Sequence, residues 1–458
     1  MKIVHLVTQD NGGAGRACIR LHKALLKEGV DSIILTQNKT TDLPSVKRVA
    51  QSKFQKAFSK IRPFLSQLPL ILYPKRNKDI FSPNLPFFTP SNRILLKQIE
   101  DLKPDVVHLH WIEGGFFNIK DLESIQAPIL WSLHDANPYT GGCHYVATTC
   151  IGVSNHCKSC PLLKSKFPFD ISFWTFKRKN KTYNKLNNLT INGLSSWIAS
   201  CAKDSALLGN KPIVNLPNPI DTSIYRPIHK NLAREILHIH TPKRIISFGA
   251  IGATSTPRKG FYELKSALES LPNALKAQCE LIIFGGNAPE ISGIKKTHIL
   301  GFVYDDSSLA LAFNACDVFI APSLAENLSN VIMESLSCGT PVVAFDIGGN
   351  SDMITHKHNG YLATDTHDLS AGIEWALGLD SLSAQSVSFA ATQSIATQFD
   401  TPKIAKIYIE AYRQLSGGGV VDKIRYVIYI STPSLYPSSI YSSQIHNSSY
   451  LGGNICVA

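Results

Sequence analysis

Two glutamates, Glu326 and Glu334, have seven residues between them. Ser329 or Asn330 is expected to cap a helix that runs to Cys338. Glu334 then projects from the first turns of that helix, and Glu326 lies in the preceding loop beside a strand end. Carboxylates at a helix start can accept hydrogen bonds from ligand hydroxyl groups, and the helix dipole there favours an anion. The alternative is two solvated surface charges, because acidic residues are mostly exposed.

A basic pair, Arg258 and Lys259, begins a second helical segment after the predicted strand Arg244–Phe248. Fixed cations at such a place can stabilise the charge on a departing diphosphate without a metal ion. The alternative is a pair that only covers a helix surface. The dipeptide formed by Asp305 and Asp306 is interpreted as a helix cap rather than a metal site.

His134 ends the predicted buried strand Ile129–Leu133 and precedes Asp135. A histidine at the carboxyl end of a parallel strand lies where open α/β sheets bind ligands. We therefore expect His134 to be functional, with an orienting and a proton-handling role both open. His108 and His110, in the strand before, are expected to be structural or to support the site.

The opening of the chain reads strand, glycine turn and helix, over Ile3–Val7, residues 11–15 and Ala17–Glu28. Alternation of this kind implies a parallel sheet with helices on both faces. Gly12 and Gly13 let the backbone approach a ligand at this turn, with tight packing as the alternative explanation.

A second strand–helix series follows the proline-rich linker at residues 216–221. Its predicted strands are Arg244–Phe248, Glu280–Phe284, Val318–Ala321 and Pro341–Phe345. We expect an N-terminal domain at residues 1–215 and a second domain at residues 216–398. A helix at residues 399–416 is expected to pack back on the first domain, and a tail of unknown structure occupies residues 417–458.

Three segments together resemble the family 4 retaining glycosyltransferases of the GT-B fold. They are residues 326–334 with their paired glutamates, residues 257–261 with the basic pair, and the linker 217–221, which is followed by Arg226 and Pro227. The stretch from Leu133 through residues 138–144 further resembles members that build bacterial exopolysaccharide and lipopolysaccharide. The likeness covers roughly residues 1–415, and the order and spacing of the motifs carry it.

The resemblance implies an α/β protein with two Rossmann-like domains facing across a cleft, an acceptor-side domain at residues 1–215 and a nucleotide-sugar-binding domain at residues 216–398. It places Glu334 on the ribose and Glu326 near the donor sugar, and it makes His134, Glu326 and Lys259 the catalytic set. The family's usual arginine after the strand is absent, since Gly249 and Ala250 stand there, and Arg258 is its substitute. The expected donor-binding residues are Gly13, Arg258, Lys259, Val303, Glu326, Asn327, Leu328, Ser329 and Glu334.

The implied activity is transfer of a sugar from a nucleotide-sugar donor to a glycan or lipid-linked acceptor, with retention and without a metal cofactor. Such an enzyme would serve bacterial surface polysaccharide biosynthesis. The alternatives are a nucleotide-sugar epimerase of similar architecture and a non-catalytic nucleotide-sugar-binding protein. The net charge of +12 points to an anionic partner, but no motif for nucleic-acid recognition accompanies it.

Four cysteines, Cys143, Cys150, Cys157 and Cys160, form a cysteine-rich insertion at residues 141–161. We call them the four-cysteine segment. Four thiolates can bind zinc tetrahedrally, although only the last Cys-x-x-Cys has a common zinc spacing. The sequence therefore predicts a structural zinc, with free thiols or redox-dependent bridges as the alternative.

A stretch from Lys164 to Lys185 combines seven Lys/Arg residues with six aromatic residues and a single acid, Asp170. This composition suits the interface of an anionic membrane, and a helix with a solvated basic face is the alternative. The first residues are too briefly apolar for a signal peptide, so we read them as a strand. We expect a cytoplasmic protein, with peripheral attachment at the inner membrane face.

Overall fold

The computed structural model describes residues 1–77, 80–147, 150–250, 252–286, 290–303 and 305–417. Within these ranges the chain forms a seven-stranded and a six-stranded parallel sheet. Parallel neighbours need long crossover connections, which helices supply here, so both sheets are covered by helices. The expected α/β class with two Rossmann-like domains is confirmed. None of the helices in the described ranges is long and apolar enough to span a bilayer.

The first sheet has the strand order β3-β2-β1-β4-β5-β6-β7. Its strands are β1 (Lys2–Gln9), β2 (Asp31–Asn38), β3 (Val46–Arg48), β4 (Val106–Leu109), β5 (Ile129–Leu133), β6 (Leu189–Gly193) and β7 (Ile213–Asn215). The helices of this half are α1 (Gly12–Lys27), α2 (Lys53–Gln67), α3 (Arg93–Leu102), α4 (Ile171–Tyr183) and α5 (Ser196–Lys203). A 3₁₀ turn, Leu68–Leu72, continues directly from α2.

The second sheet has the strand order β10-β9-β8-β11-β12-β13. Its strands are β8 (Arg244–Gly249), β9 (Cys279–Phe284), β10 (Thr297–Gly301), β11 (Val318–Ala321), β12 (Val342–Phe345) and β13 (Gly360–Ala363). The helices of this half are α6 (Lys230–Ile236), α7 (Phe261–Ser270), α8 (Asn273–Ala277), α9 (Asp306–Asn314), α10 (Asn330–Ser337), α11 (Thr366–Gly378), α12 (Ser381–Phe399) and α13 (Thr401–Ser416).

Helix α1 begins at Gly12, five residues before the predicted start at Ala17. Gly12 has a φ of +71°, a left-handed value that glycine adopts without strain, so the chain can turn from β1 straight into the helix. The glycine turn is therefore the helix start itself. As a result, the first turn of α1 lies at the carboxyl edge of the sheet.

The last helix, α13, returns to the first domain. Ile404, Tyr408 and Tyr412 are buried in one apolar cluster with Ile3 of β1 and Leu21 of α1. The Tyr412 hydroxyl lies 2.7 Å from Nδ1 of His108 in β4. A chain crossing back in this way ties the two halves together, because α13 follows the second sheet in sequence but packs on the first. The predicted tail beyond Gly417 lies outside the described residues.

Candidate active site

A cleft of 450 Å³ separates the carboxyl edges of the two sheets. In each sheet the chain reverses its winding beside the central strand, β1 or β8, and ligands bind at such switch points in open α/β sheets. The cleft brings together every residue predicted to be catalytic or donor-binding. Its lining includes Gly13, His134, Arg258, Lys259, Val303, Glu326, Asn327, Leu328, Ser329 and Glu334.

Glu326 lies between β11 and α10 and forms an ion pair with Lys259, with 2.5 Å between Oε1 and Nζ. Arg258 lies 3.5 Å from the same oxygen and donates a 2.8 Å hydrogen bond to the Ala325 carbonyl. Burial opposes ionisation of Glu326, but Lys259 and Arg258 outweigh it and hold its pKa below the usual range. The two cations and the carboxylate thus form a charged group on one wall of the cleft.

Gly260 fixes the position of this basic pair. It adopts a φ of +74°, and a Cβ atom there would lie 1.7 Å from the Pro322 carbonyl oxygen. Because only glycine permits this approach, the turn carrying Lys259 packs directly on the loop that carries Glu326. Glycine at position 260 is therefore a geometric requirement of this turn.

Arg258 is also held from the other domain. Its guanidinium lies 4.3 Å from the ring centroid of Tyr145, two residues after Cys143. A cation over an aromatic face is stabilised by the ring's quadrupole. Arg258, which was predicted to replace the family's usual arginine, therefore lies in the cleft and is contacted by both domains.

Glu334 lines the cleft, is fully buried and pairs with two arginines of α1. The distances from Glu334 Oε1 are 2.6 Å to Arg20 and 3.3 Å to Arg16. Both arginines also contact Asp306, at 3.2 Å and 2.6 Å respectively. Tyr225 donates a 2.8 Å hydrogen bond to Asp306 and completes the group. We call these five residues the interdomain ion cluster.

Both helices that start at the cleft leave their first turn open to it. The N-cap residues are Asn11 for α1 and Ser329 for α10, and within the described residues neither side chain caps its helix. Unpaired N–H groups and the positive end of the dipole make such a terminus attractive to phosphate. With Lys259 and Arg258 also lining the cleft, it offers four positive features to an anionic ligand.

His134 faces the cleft from the end of β5 and belongs to a chain of buried histidines. Its Nε2 lies 3.1 Å from Nδ1 of His110, whose Nε2 lies 3.1 Å from Nδ1 of His5. Burial lowers the pKa of His134 to about 4, although Asp135 opposes the shift. His134 is therefore a neutral imidazole near pH 7. This row of histidines ends inside the core at His5, so it fixes the orientation of the His134 ring and opens no path to solvent.

The residue after His134 anchors a second buried network. Asp135 forms a 2.7 Å ion pair with His144 and accepts a 2.9 Å hydrogen bond from the Trp111 indole. Burial opposes ionisation of both partners, but their mutual attraction raises the pKa of His144 and, with hydrogen bonds, lowers that of Asp135. This pair ties the loop after β5 to the segment that follows it.

Asn327, predicted to bind the donor, is turned toward the first domain. Its Nδ2 donates to the Leu133 carbonyl at 2.8 Å, and its Oδ1 accepts from Ser195 at 2.6 Å. Asn330 likewise donates to the Gly13 carbonyl at 3.2 Å. In this arrangement Asn327 joins the domains beside the cleft, and its side-chain amide is already occupied.

The dipeptide interpreted as a cap has two separate roles. Asp305 caps α9 by accepting a 2.7 Å hydrogen bond from the Ser308 N–H, as predicted. Asp306 instead joins the interdomain ion cluster, which the sequence did not indicate. Arg16 and Arg20 were also missed. Their spacing of four on a helix next to a glycine turn is the one sequence signal that could have drawn attention to them.

All members of the four-cysteine segment are free thiols, and three of them are buried. Burial, reinforced by the other three thiols, raises the pKa of Cys143 well above its usual value. Within the described ranges, the potential metal ligands that lie within 4.8 Å of one another are His5, Cys18 and His110, and not these cysteines. The four cysteines share one region without their sulfurs meeting at metal-binding distances, and the structural zinc stays a prediction.

The aromatic residues predicted to face a membrane are divided between core and surface. Phe176 and Tyr183 of α4 are buried, whereas Phe167, Phe169 and Trp174 are at least half exposed. Helix α4 thus packs on the first domain through one side, and the exposed aromatics lie at and just before its amino-terminal end.

Comparison with known proteins agrees with the geometry. Residues 243–378 match the family described as glycosyl transferases group 1. A segment of 102 residues is 33% identical to TuaC of Bacillus subtilis (strain 168), which is named as a teichuronic acid biosynthesis glycosyltransferase. This match covers 22% of the chain and 25% of TuaC, so the chain spans about a quarter of that relative's length.

Two solved structures share the whole architecture. Sucrose-phosphate synthase from Thermosynechococcus elongatus matches with a TM-score of 0.64 at 15% identity, over 92% of this chain and 100% of that one. Anabaena HepE in complex with UDP-glucose matches with a TM-score of 0.58 at 15% identity, over 90% and 100%. The chain has the GT-B fold of these proteins, and its second domain is similar to the group 1 glycosyltransferases.

Proposed function

We propose that this protein is a retaining glycosyltransferase of family 4 that transfers a sugar from a nucleotide-sugar donor. One observation carries the proposal. Lys259, Arg258 and two open helix starts surround a single cleft, with the Glu326 carboxylate and neutral His134 beside them. The complex of HepE with UDP-glucose supports a donor of this kind.

The donor's diphosphate is placed against Lys259, Arg258 and the start of α10. As the bond to the sugar breaks, charge accumulates on the leaving phosphate, and the fixed cations of the cleft stabilise it. Arg258, clamped by Tyr145, takes the place of the missing family arginine. No metal ion is assigned to this step, in keeping with the family resemblance.

Glu334 is assigned to the ribose hydroxyls and Glu326 to the donor sugar. Glu326, whose pKa is lowered, accepts hydrogen bonds without carrying a proton, which suits binding of sugar hydroxyls. His134 contacts the sugar and acceptor as a neutral side chain oriented by His110. Retention follows when the acceptor attacks on the face from which the phosphate leaves.

The acceptor is proposed to be a glycan or a lipid-linked sugar of bacterial surface polysaccharide biosynthesis. Similarity to TuaC supports this pathway class. We place the enzyme in the cytoplasm, peripheral to the inner face of the membrane where lipid-linked acceptors are reached.

The test is a panel of nucleotide sugars assayed first by thermal shift, because a ligand stabilises only the state that binds it. The donor that raises the unfolding temperature is then incubated with lipid-linked acceptor in the presence of EDTA. The expected result is nucleoside diphosphate release and a product with the donor's anomeric configuration by NMR. Release of an epimer without acceptor, or inversion in the product, would contradict the proposal.

A Lys259→Met variant is the specific control for donor chemistry. Met preserves the length of the side chain and removes its charge. If it turns over donor as fast as the wild type, the assigned diphosphate site is wrong.

A further inference from the structure

Helix α2 packs on the protein through its polar face. The buried residues of this 15-residue helix are Arg62 and Ser66. Arg62 donates to the carbonyl oxygens of Gly115 and Pro90, each at 2.6 Å. Surface helices normally bury an apolar stripe and expose the polar one. Helix α2 does the reverse.

A row of large apolar side chains lies along one flank of α2, where Phe54 and Phe58 line a recess of 200 Å³ with Val49, Ala50 and Phe116. Phe54, Phe58, Ile61 and Phe64 are 82%, 39%, 48% and 66% exposed. Spacings of four, three and three residues keep them on one side of the helix. Exposure of this much contiguous apolar surface is unfavourable in water and marks an interaction site.

The apolar surface continues into the adjoining turn and the start of α4. Ile71 and Leu72 of the 3₁₀ turn are 67% and 79% exposed. The hydroxyl of Tyr73, directly after this turn, accepts a 3.0 Å hydrogen bond from the Ile171 N–H of α4. The exposed Phe167 and Phe169 lie just before that helix. We call the exposed apolar residues of α2, this turn and the start of α4 the apolar face.

The surroundings of the apolar face are positively charged. Residues 43–77 contain no acidic residue and eight basic ones, Lys47, Arg48, Lys53, Lys56, Lys60, Arg62, Lys75 and Arg76. An open recess of 630 Å³ adjoins the start of α2 and is lined by Lys39, Lys47, Arg48 and Lys56, with Asp42 as its acid. Cations beside apolar side chains match the arrangement of acidic headgroups over acyl chains.

We propose that the apolar face docks onto an anionic lipid bilayer, with the recess beside α2 receiving lipid phosphate groups. The phenylalanines enter the interfacial region while Lys53, Lys56 and Lys60 remain at headgroup level. A protein partner of the same shape would need a strongly acidic rim to match this uniform positive charge. The surface is distinct from the stretch at Lys164 to Lys185 that the sequence indicated, and it shares with that stretch only the exposed aromatics before α4.

The test is flotation of the full chain with vesicles of phosphatidylcholine and phosphatidylglycerol, compared with phosphatidylcholine alone. The wild type is expected to float with the anionic vesicles and to be released by salt. The double variant F54S/F64S is expected to bind at least about tenfold more weakly, since each phenylalanine loses its apolar transfer energy. The matched control is L382S/F389S on α12, whose side chains are 79% and 67% exposed on the other domain.

Unchanged flotation of F54S/F64S overturns the proposal, and so does equal loss in L382S/F389S. Failure of the wild type to float, together with a self-association that F54S/F64S abolishes, assigns the face to a second copy and also overturns it. Thermal shift by the donor is measured on the same variants. Loss of flotation with the donor shift intact keeps this inference separate from the proposed glycosyl transfer.

Discussion

Replacing Arg20 by Met should destabilise the protein far more than replacing Arg16, although both arginines contact the same acids. The Arg20 side chain is 8% exposed and its partner Glu334 is 0% exposed, whereas Arg16 and Asp306 are 27% and 33% exposed. Removing one member of a buried pair leaves the other charge uncompensated, at a cost of about 3–5 kcal/mol. A more exposed pair is screened by water and contributes about 1 kcal/mol or less.

The structure gives Glu334 little means to compensate. Its Oε2 is buried without a hydrogen-bond partner among the described residues, so Oε1 receives both arginine contacts. In Arg20→Met the carboxylate keeps only Arg16, at the longer distance of 3.3 Å. We therefore expect the thermal midpoint to fall by roughly 6–20 °C for Arg20→Met and by about 4 °C or less for Arg16→Met.

The assay is thermal unfolding of both single variants and of Arg20→Met combined with Glu334→Gln. Neutralising Glu334 removes the unpaired charge, so the double variant should be more stable than Arg20→Met alone. Equal losses for Arg16→Met and Arg20→Met would refute the argument from burial. A double variant no better than Arg20→Met would show that lost packing, rather than an uncompensated charge, sets the cost.

Three further predictions concern the cleft, the histidines and the cysteines. Lys259→Met should lower kcat by roughly 100- to 1,000-fold with a folded protein, as loss of one charge-stabilising donor does. Lys265→Met, which removes an exposed pair with Glu269, is the matched control and should leave kcat unchanged. Buried neutral histidines should make stability depend on pH, because only the unfolded state takes up protons between their folded pKa and about 6.5. The pKa values of His22 and His134 are lowered to about 4 and that of His108 to about 3, with burial as the main cause. Stability should therefore be full above pH 6.5 and fall toward pH 4, each such histidine contributing about 1.4 kcal/mol per pH unit, and a thermal midpoint that stays constant from pH 7 to pH 4.5 would contradict this. The purified chain should contain one zinc by elemental analysis that Cys157→Ser removes, and zinc-free wild type would end that prediction.

The fold was predictable because its signals are local. Apolar runs such as Ile129–Leu133 and Val318–Ala321 coincide with β5 and β11 residue for residue. Buried parallel strands are continuous apolar segments, so a short window of sequence suffices to find them. The start of α1 was placed too late, because glycines usually indicate a turn and here they open the helix.

The site was predictable where a motif carried it. The glutamate pair, Lys259 and His134 line one cleft because each follows the carboxyl end of a strand. The interdomain ion cluster was not predictable in the same way. Arg20 and Glu334 are 314 residues apart, and nothing in the neighbourhood of either residue indicates its partner.

Helix α2 shows most clearly what depends on local sequence and what depends on tertiary structure. The helix at residues 53–67 was not among the predicted elements, although its apolar periodicity and the Ser52 capping box are local properties of the sequence. Only the tertiary structure decided which face turns inward, through the carbonyl oxygens of Gly115 and Pro90 that receive Arg62. Periodicity places side chains on a common side of a helix, but whether that side meets protein or solvent depends on contacts between distant parts of the chain.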